Sequence, residues 1–265
     1  NAGVAYALKR TNVLIGDETG LGKTPQSIVT MNCDHEIKRV LVICPASLRV
    51  NWTREIKVFS ARAPRIVRLI DFGPTRKGES PEQRDARFHS QNVKALTVEV
   101  GDKEILFCVV GYEEALTKAG AALDSVQWDG VIIDEAQHVK NPAAKRTERT
   151  RALWTSAKKR RVMLTGTPIE NRLDELYTLL SMLDPQKYPP EGKLPKKYNS
   201  SAALRAQLEI EMRKAFLVRR LKADVLLDLP EKRWSVLNLD PSDEGIADAI
   251  EMWSDAKKRF GLSDN

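Results

Sequence analysis

Cysteine is scarce in this chain. Cys33, Cys44 and Cys108 are its three cysteines among 265 residues, and no CxxC pair occurs. That excludes a disulfide framework and a thiolate zinc site of familiar spacing. Cys44 and Cys108 each lie in or beside an apolar run, so they are expected to be small buried hydrophobes, which suits a reducing compartment. Histidine is equally sparse, and His35, His89 and His138 show no metal-ligand spacing. No stretch approaches the roughly 20 apolar residues of a membrane helix, no signal peptide opens the chain, and there is no internal repeat. No membrane partner is therefore expected, and the location is expected to be intracellular, cytoplasmic or nuclear. The chain opens on Asn1 rather than Met, which suggests a processed or truncated start.

What is present is ordinary in bulk: 42% hydrophobic and 30% charged residues, enough for one large domain or two modest ones. The net charge of +7 admits an anionic partner, although a solvated basic face is the commoner meaning. Short apolar runs recur at 12–16 (NVLIG), 39–44 (RVLVIC), 105–110 (ILFCVV), 130–135 (GVIIDE) and 161–166 (RVMLTG). Such β-rich runs suit strands buried on both faces of a parallel sheet. KTPQSIVTMN and SLRVNWTREIKVFS between them read as helices, so the alternation predicts an α/β doubly wound domain. Residues 73–92 are polar and read as a surface loop or short exposed helix, and 185–201 as an irregular Pro- and Lys-rich excursion. Beyond it, Leu204, Leu208, Met212 and Phe216 recur at helical spacing, predicting an amphipathic helix with a basic opposite face.

The stretch GDETGLGKT, residues 16–24, follows one apolar run and precedes a helical pattern. Gly20 and Gly22 let the backbone turn tightly so that N–H groups can point at phosphate oxygens. Lys23 is placed to reach the β- and γ-phosphates of a nucleotide, and the Thr24 hydroxyl to hold Mg²⁺. The helix N-terminus adds its positive dipole end, and Pro25 sits where a missing N–H costs little. A glycine turn that merely precedes a helix is the bland alternative. A second element counts against it: VIIDE, 131–135, is an apolar strand ending in two carboxylates. Asp134 is expected to hold Mg²⁺ and Glu135 to polarise the attacking water.

With these motifs in place, the chain resembles the Swi/Snf-related branch of the superfamily-two helicase-like ATPases. GDETGLGKT, DEAQHVKN and LTGTPIENRLDELYTLLSML resemble its motifs I, II and III; VICPASLRVNW is similar to motif Ia and VVGYEEAL, more loosely, to motif Ib. FLVRRLKADVLLDLPEK matches a further block of the branch, in which Asp17 at the usual glycine position of the P-loop is common. The resemblance implies a RecA-like P-loop lobe with a mostly parallel sheet flanked by helices and a helical excursion near the C-terminal end. It implies ATP and Mg²⁺ as cofactors, held by Gly20, Gly22, Lys23, Thr24 and Asp134, with Lys23, Asp134 and Glu135 catalytic. Gln137, Thr165 and Thr167 are implied to link the nucleotide to its surroundings. Pro45, Ser47, Gly111 and Tyr112, with Arg219 and Arg220, are implied to face nucleic acid, where small residues and hydroxyls let backbone N–H groups approach phosphates.

The implied organisation is a first RecA-like lobe over 1–184, an inserted loop and basic helical segment over 185–234, and a linker start over 235–265. The implied partners are double-stranded DNA and a second RecA-like lobe carrying the arginines that finish the ATP site, without which this chain alone is expected to be nearly inactive. Thr19 and Pro25 depart from the larger apolar residues usual in the branch, and the upstream adenine-reading glutamine motif is not found. A DNA translocase is the leading reading; an RNA- or restriction-associated helicase and a nucleotide-gated binding module without turnover are the alternatives. Trp52 reads as a core or interlobe packing residue, and Leu173, Leu176, Leu180 and Leu183 as one buried helical face.

Overall fold

The structure, a computed structural model, describes residues 2–70, 73–166, 173–195, 198, 201–225, 248 and 251–252. The chain divides into Asn1–Val225 and Leu226–Asn265, and everything described below belongs to the first unit. Seven strands form one sheet: β1 (Asn12–Ile15), β2 (Arg39–Cys44), β3 (Ala63–Val67), β4 (Glu104–Gly111), β5 (Gly130–Ile133), β6 (Arg160–Leu164) and β7 (Leu217–Val218). Their spatial order is β3-β4-β2-β5-β6-β1-β7, and every neighbouring pair is parallel. The α/β parallel architecture expected from the sequence is the one observed.

The near-continuous apolar runs are explained by burial on both faces of the sheet. Val13 and Ile15, Val40 and Val42, Ile105 and Phe107, Ile132, and Val162 and Leu164 point to one side. There they meet Ala7 of α1 (Ala2–Leu8), Ile28 and Met31 of α2 (Lys23–Asn32), and Trp52 and Ile56 of α3 (Arg49–Phe59). Leu14, Leu41, Ile43, Leu106, Cys108, Val131, Ile133 and Met163 point to the other. That layer is closed by Leu96 of α4 (Pro81–Leu96), Leu153 and Trp154 of α5 (Lys145–Ser156), Leu176 to Leu183 of α6 (Leu173–Leu183), and Leu208 and Met212 of α7 (Ala202–Ala215). The period of two along each strand thus serves two cores at once.

Three elements differ from the sequence reading. Residues 81–96 form a 16-residue helix rather than a loop or short exposed helix. Ser80 starts it with a capping box: its hydroxyl accepts the Gln83 N–H at 3.2 Å while the Gln83 side chain accepts the Ser80 N–H at 2.9 Å. Its inner face is only Phe88, Asn92 and Leu96, with Asn92 bonded to both the N–H and the carbonyl of Ile70. β3 is an edge strand with little burial, which leaves no apolar run to detect. β7 is two residues long and is joined to β1 by bonds such as Leu14 N–H to the Phe216 carbonyl, 2.8 Å. The helix expected around Leu204 to Phe216 is present; Leu208, Met212 and Phe216 are buried and Leu204 half-buried. Both expected structural cysteines, Cys44 and Cys108, are buried, and Leu176, Leu180 and Leu183 lie in the core.

Candidate nucleotide site

Because the strands are parallel, the loops after β1, β2, β4, β5 and β6 all leave the same edge of the sheet, the usual place for a ligand in an open α/β fold. The loop after β1 carries Gly20 at φ 91° and Gly22 at φ 75°, left-handed conformations that a side chain would strain. Gly22 leads directly into α2, so Lys23 and Thr24 sit on the first turn, where the unsatisfied N–H groups and the positive dipole end lie. The Lys23 ammonium folds back onto the Asp17 carbonyl at 3.1 Å. Gly166, after β6, presses against the same loop: a Cβ there would stand 3.0 Å from the Thr19 hydroxyl and 3.8 Å from Lys23 Nζ.

Asp17 explains its own presence. Its carboxylate is fully buried and accepts the Arg220 N–H at 2.9 Å, the Gln26 amide at 3.0 Å and the Arg220 guanidinium, bound to both oxygens. Gln26 in turn donates to the carbonyls of Leu21 and Gly22 and accepts from Arg220 at 2.8 Å. Next to it Glu18 accepts the Lys222 N–H at 2.8 Å. The residue that departs from a general P-loop therefore ties the phosphate loop to the segment after β7. The Arg220 guanidinium, expected to face nucleic acid, is turned inward onto Asp17, whose hydrogen bond raises its pKa. Arg219 remains half-buried beside Glu209, 3.9 Å away.

Asp134 follows β5 and is 6% exposed. Its two carboxylate oxygens accept from neutral donors, Trp52 Nε1 at 2.7 Å and the Glu135 N–H at 2.9 Å. Burial raises its pKa; the Trp52 bond works against the rise and the neighbouring Glu135 adds to it. A buried carboxylate with neutral partners and lone pairs to spare is chemically suited to a divalent cation, with Thr24 as a second oxygen donor on α2. Glu135 has φ 49° and ψ 58°, a left-handed backbone rare outside glycine and a mark of over-determined functional loops. Among the described residues it is the one non-glycine with positive φ.

Gln137 bridges outward from this pair, donating to Glu135 Oε2 at 2.6 Å and accepting from the Thr165 hydroxyl at 3.0 Å. The loops after β5 and β6 are thus joined through one side-chain amide. Thr167 lies outside the described residues.

Of the residues expected to face nucleic acid, Pro45 is half-buried and Ser47 exposed, on the turn between β2 and α3. Tyr112 lies deeper: it is 4% exposed, its hydroxyl donates to the Asp134 carbonyl at 2.5 Å, and burial pushes its pKa well up. Gly111 is buried as well, with its N–H already given to Glu114 at 3.0 Å. Glu114 also pairs with Arg49 at 2.7 Å, which links the loop after β4 to the start of α3. The sequence reading missed Trp52 as a polar partner and Gln26 and Glu114 as braces; an isolated tryptophan in an apolar helix pattern gives no sign of where its N–H goes.

A family model described as the SNF2-related domain matches residues 2–247. The chain is 32% identical over 249 residues to the CHD3-type chromatin-remodeling factor PICKLE of Arabidopsis thaliana, covering 88% of this chain and 17% of that protein. It is 30% identical over 239 residues to a probable chromatin-remodeling complex ATPase chain of Oryza sativa, covering 87% and 20% respectively. It is 31% identical over 253 residues to the chromatin structure-remodeling complex subunit snf21 of Schizosaccharomyces pombe, covering 87% and 19%. The chain therefore spans about a fifth of the length of these relatives.

Proposed function

Because the chain belongs to the SNF2-related family, we propose that it is the first ATP-binding lobe of an ATPase that turns hydrolysis into movement along double-stranded DNA. The observation that carries this reading is that Lys23, Asp134, Glu135 and Thr165 lie at one sheet edge, with Gln137 bridging Glu135 and Thr165. Lys23 releases the Asp17 carbonyl and grips the β- and γ-phosphates, while the loop around Gly20 and Gly22 offers backbone N–H groups. Mg²⁺ held by Thr24 and Asp134 would supply charge to the phosphate oxygens. Glu135, held by its strained backbone and by Gln137, orients the attacking water and takes up its proton. Gln137 and Thr165 report this state to the loop after β6.

The DNA track is assigned to the turn at Pro45–Ser47 and to Arg219. Such contacts grip phosphates, so binding weakens by roughly 0.9 log units per log salt for each phosphate neutralised. The names of the relatives point to chromatin as the setting and hence to a location inside the cell. A second RecA-like lobe completes the ATP site in this reading, so the chain alone turns over slowly. On the same reading, residues 1–184 are assigned to the catalytic lobe, 185–234 to an inserted segment and 235–265 to the start of the linker.

The test is ATP turnover with and without duplex DNA, on this chain and on one extended through roughly 250 further residues, an ordinary domain length. Turnover confined to the longer chain and raised by duplex DNA supports the motor. Turnover indifferent to DNA at low salt refutes it and leaves the nucleotide site alone standing.

A further inference from the structure

We propose that Trp52 and Tyr112 are positioning residues for Asp134, through which α3 and the loop after β4 hold the metal-binding carboxylate in place. The inference rests on the nucleotide-site reading above and deepens it. Trp52 is 1% exposed and lies on α3, one turn beyond Pro45–Leu48. An indole has a single N–H and nothing to accept with, so a buried tryptophan must find one acceptor. Here the acceptor is the Asp134 carboxylate, 82 residues away, at 2.7 Å. Trp128 and Trp154, equally buried, spend their N–H groups on main-chain carbonyls of Leu123 and Met182. Packing alone does not require the choice made at Trp52.

Tyr112 acts on the same residue from the other side. Its hydroxyl donates to the Asp134 carbonyl at 2.5 Å and stands 3.5 Å from that of Glu135. The peptide it holds leads into the left-handed Glu135, a conformation that costs of order 1–3 kcal/mol and persists only where neighbours enforce it. One aromatic therefore fixes the carboxylate of Asp134 and the other its main chain. α3, which carries Trp52, and the loop after β4, which carries Tyr112, are themselves tied, since Glu114 binds both the Gly111 N–H and Arg49. A displacement of either element is felt at Asp134 and Glu135 without passing through Thr165.

The test removes the indole N–H while keeping its shape. Trp52 is replaced by benzothienylalanine, in which sulfur stands for N–H, and Tyr112→Phe is made alongside it. On the 265-residue chain, the affinity for a fluorescent ATP analogue is titrated with and without Mg²⁺, and duplex DNA affinity is measured at low salt. Groups that orient a metal-binding side chain typically contribute about 10–100-fold to metal affinity. Both variants are expected to bind the Mg²⁺ form about tenfold or more weakly, with Mg²⁺-free nucleotide and DNA binding within about twofold. A merely structural role would lower all three together or none. An unchanged Mg²⁺ dependence in the folded benzothienylalanine protein overturns the inference. If the unaltered chain itself binds no nucleotide, the site reading falls first and takes the inference with it.

Discussion

Replacing Arg220 by alanine strips a fully buried carboxylate of the guanidinium it pairs with. Asp17 is 0% exposed and takes the guanidinium through both oxygens. Breaking a buried pair from one side costs about 3–5 kcal/mol, because the surviving charge stays in a poor solvent. Two facts reduce that figure here. The Arg220 side chain is 28% exposed, so water screens part of the attraction. Asp17 also keeps two other donors, the residue-220 N–H at 2.9 Å and the Gln26 amide at 3.0 Å. Each hydrogen bond to a charged group is worth about 1.5–3 kcal/mol. The expected loss is therefore about 2–3 kcal/mol, or about 4–12 °C in Tm for a domain of this size.

Asp17→Asn should cost less, about 1 kcal/mol. It removes the charge that burial penalises, keeps an acceptor for the residue-220 N–H, and leaves Arg220 partly in water. Urea unfolding of both single variants and of the double variant gives the coupling, expected at about 1–3 kcal/mol for residues in direct contact. The reasoning is refuted if Arg220→Ala costs under about 0.5 kcal/mol or if the cycle shows no coupling, since the pair would then be ornamental.

Lys23→Ala should weaken binding of a fluorescent ATP analogue by about 10–100-fold, the worth of one charge-assisted bond to phosphate, while Glu135→Gln binds normally and loses about 10²–10⁴ in turnover of the extended chain. Equal binding by the Lys23 variant would remove the phosphate assignment. Ser80→Ala, which breaks the capping box of α4, should cost about 1 kcal/mol in urea unfolding, and a silent change would mean the cap is redundant. Hydrogen bonds from the Arg87 side chain and the Arg76 N–H pull the Glu79 carboxyl down from 4.5 to about 2. A depressed carboxyl stabilises the fold above its ordinary value and loses that contribution as pH falls from 4.5 towards 2. Acid titration of stability should show this loss in the wild type and less of it in Glu79→Gln; parallel curves would contradict it.

What could be read in the sequence follows from how locally each feature is encoded. β1, β2, β4, β5 and β6 were legible because both of their faces are buried, which leaves three to six consecutive apolar residues. β3 and β7 were not: one is an exposed edge and the other two residues pinned by β1. α4 hid because a 16-residue helix that buries only three side chains looks polar along its length, although the Ser80–Gln83 spacing was there to be noticed. The candidate site divides the same way. Lys23, Thr24, Asp134 and Glu135 sit in contiguous motifs whose spacing is set by one turn of backbone. The braces do not: Arg220 lies 203 residues from Asp17, Trp52 lies 82 from Asp134, and Tyr112 lies 22 from it. Contacts of that separation are created by the parallel crossover topology, and no local pattern announces them. Basic and aromatic residues near a suspected DNA track were therefore read as facing outward, whereas Arg220 and Tyr112 face in. Their polar ends meet buried acceptors, the Asp17 carboxylate and the Asp134 carbonyl. The chemical groups were visible in the sequence, but their direction is decided by which buried oxygen most needs a hydrogen.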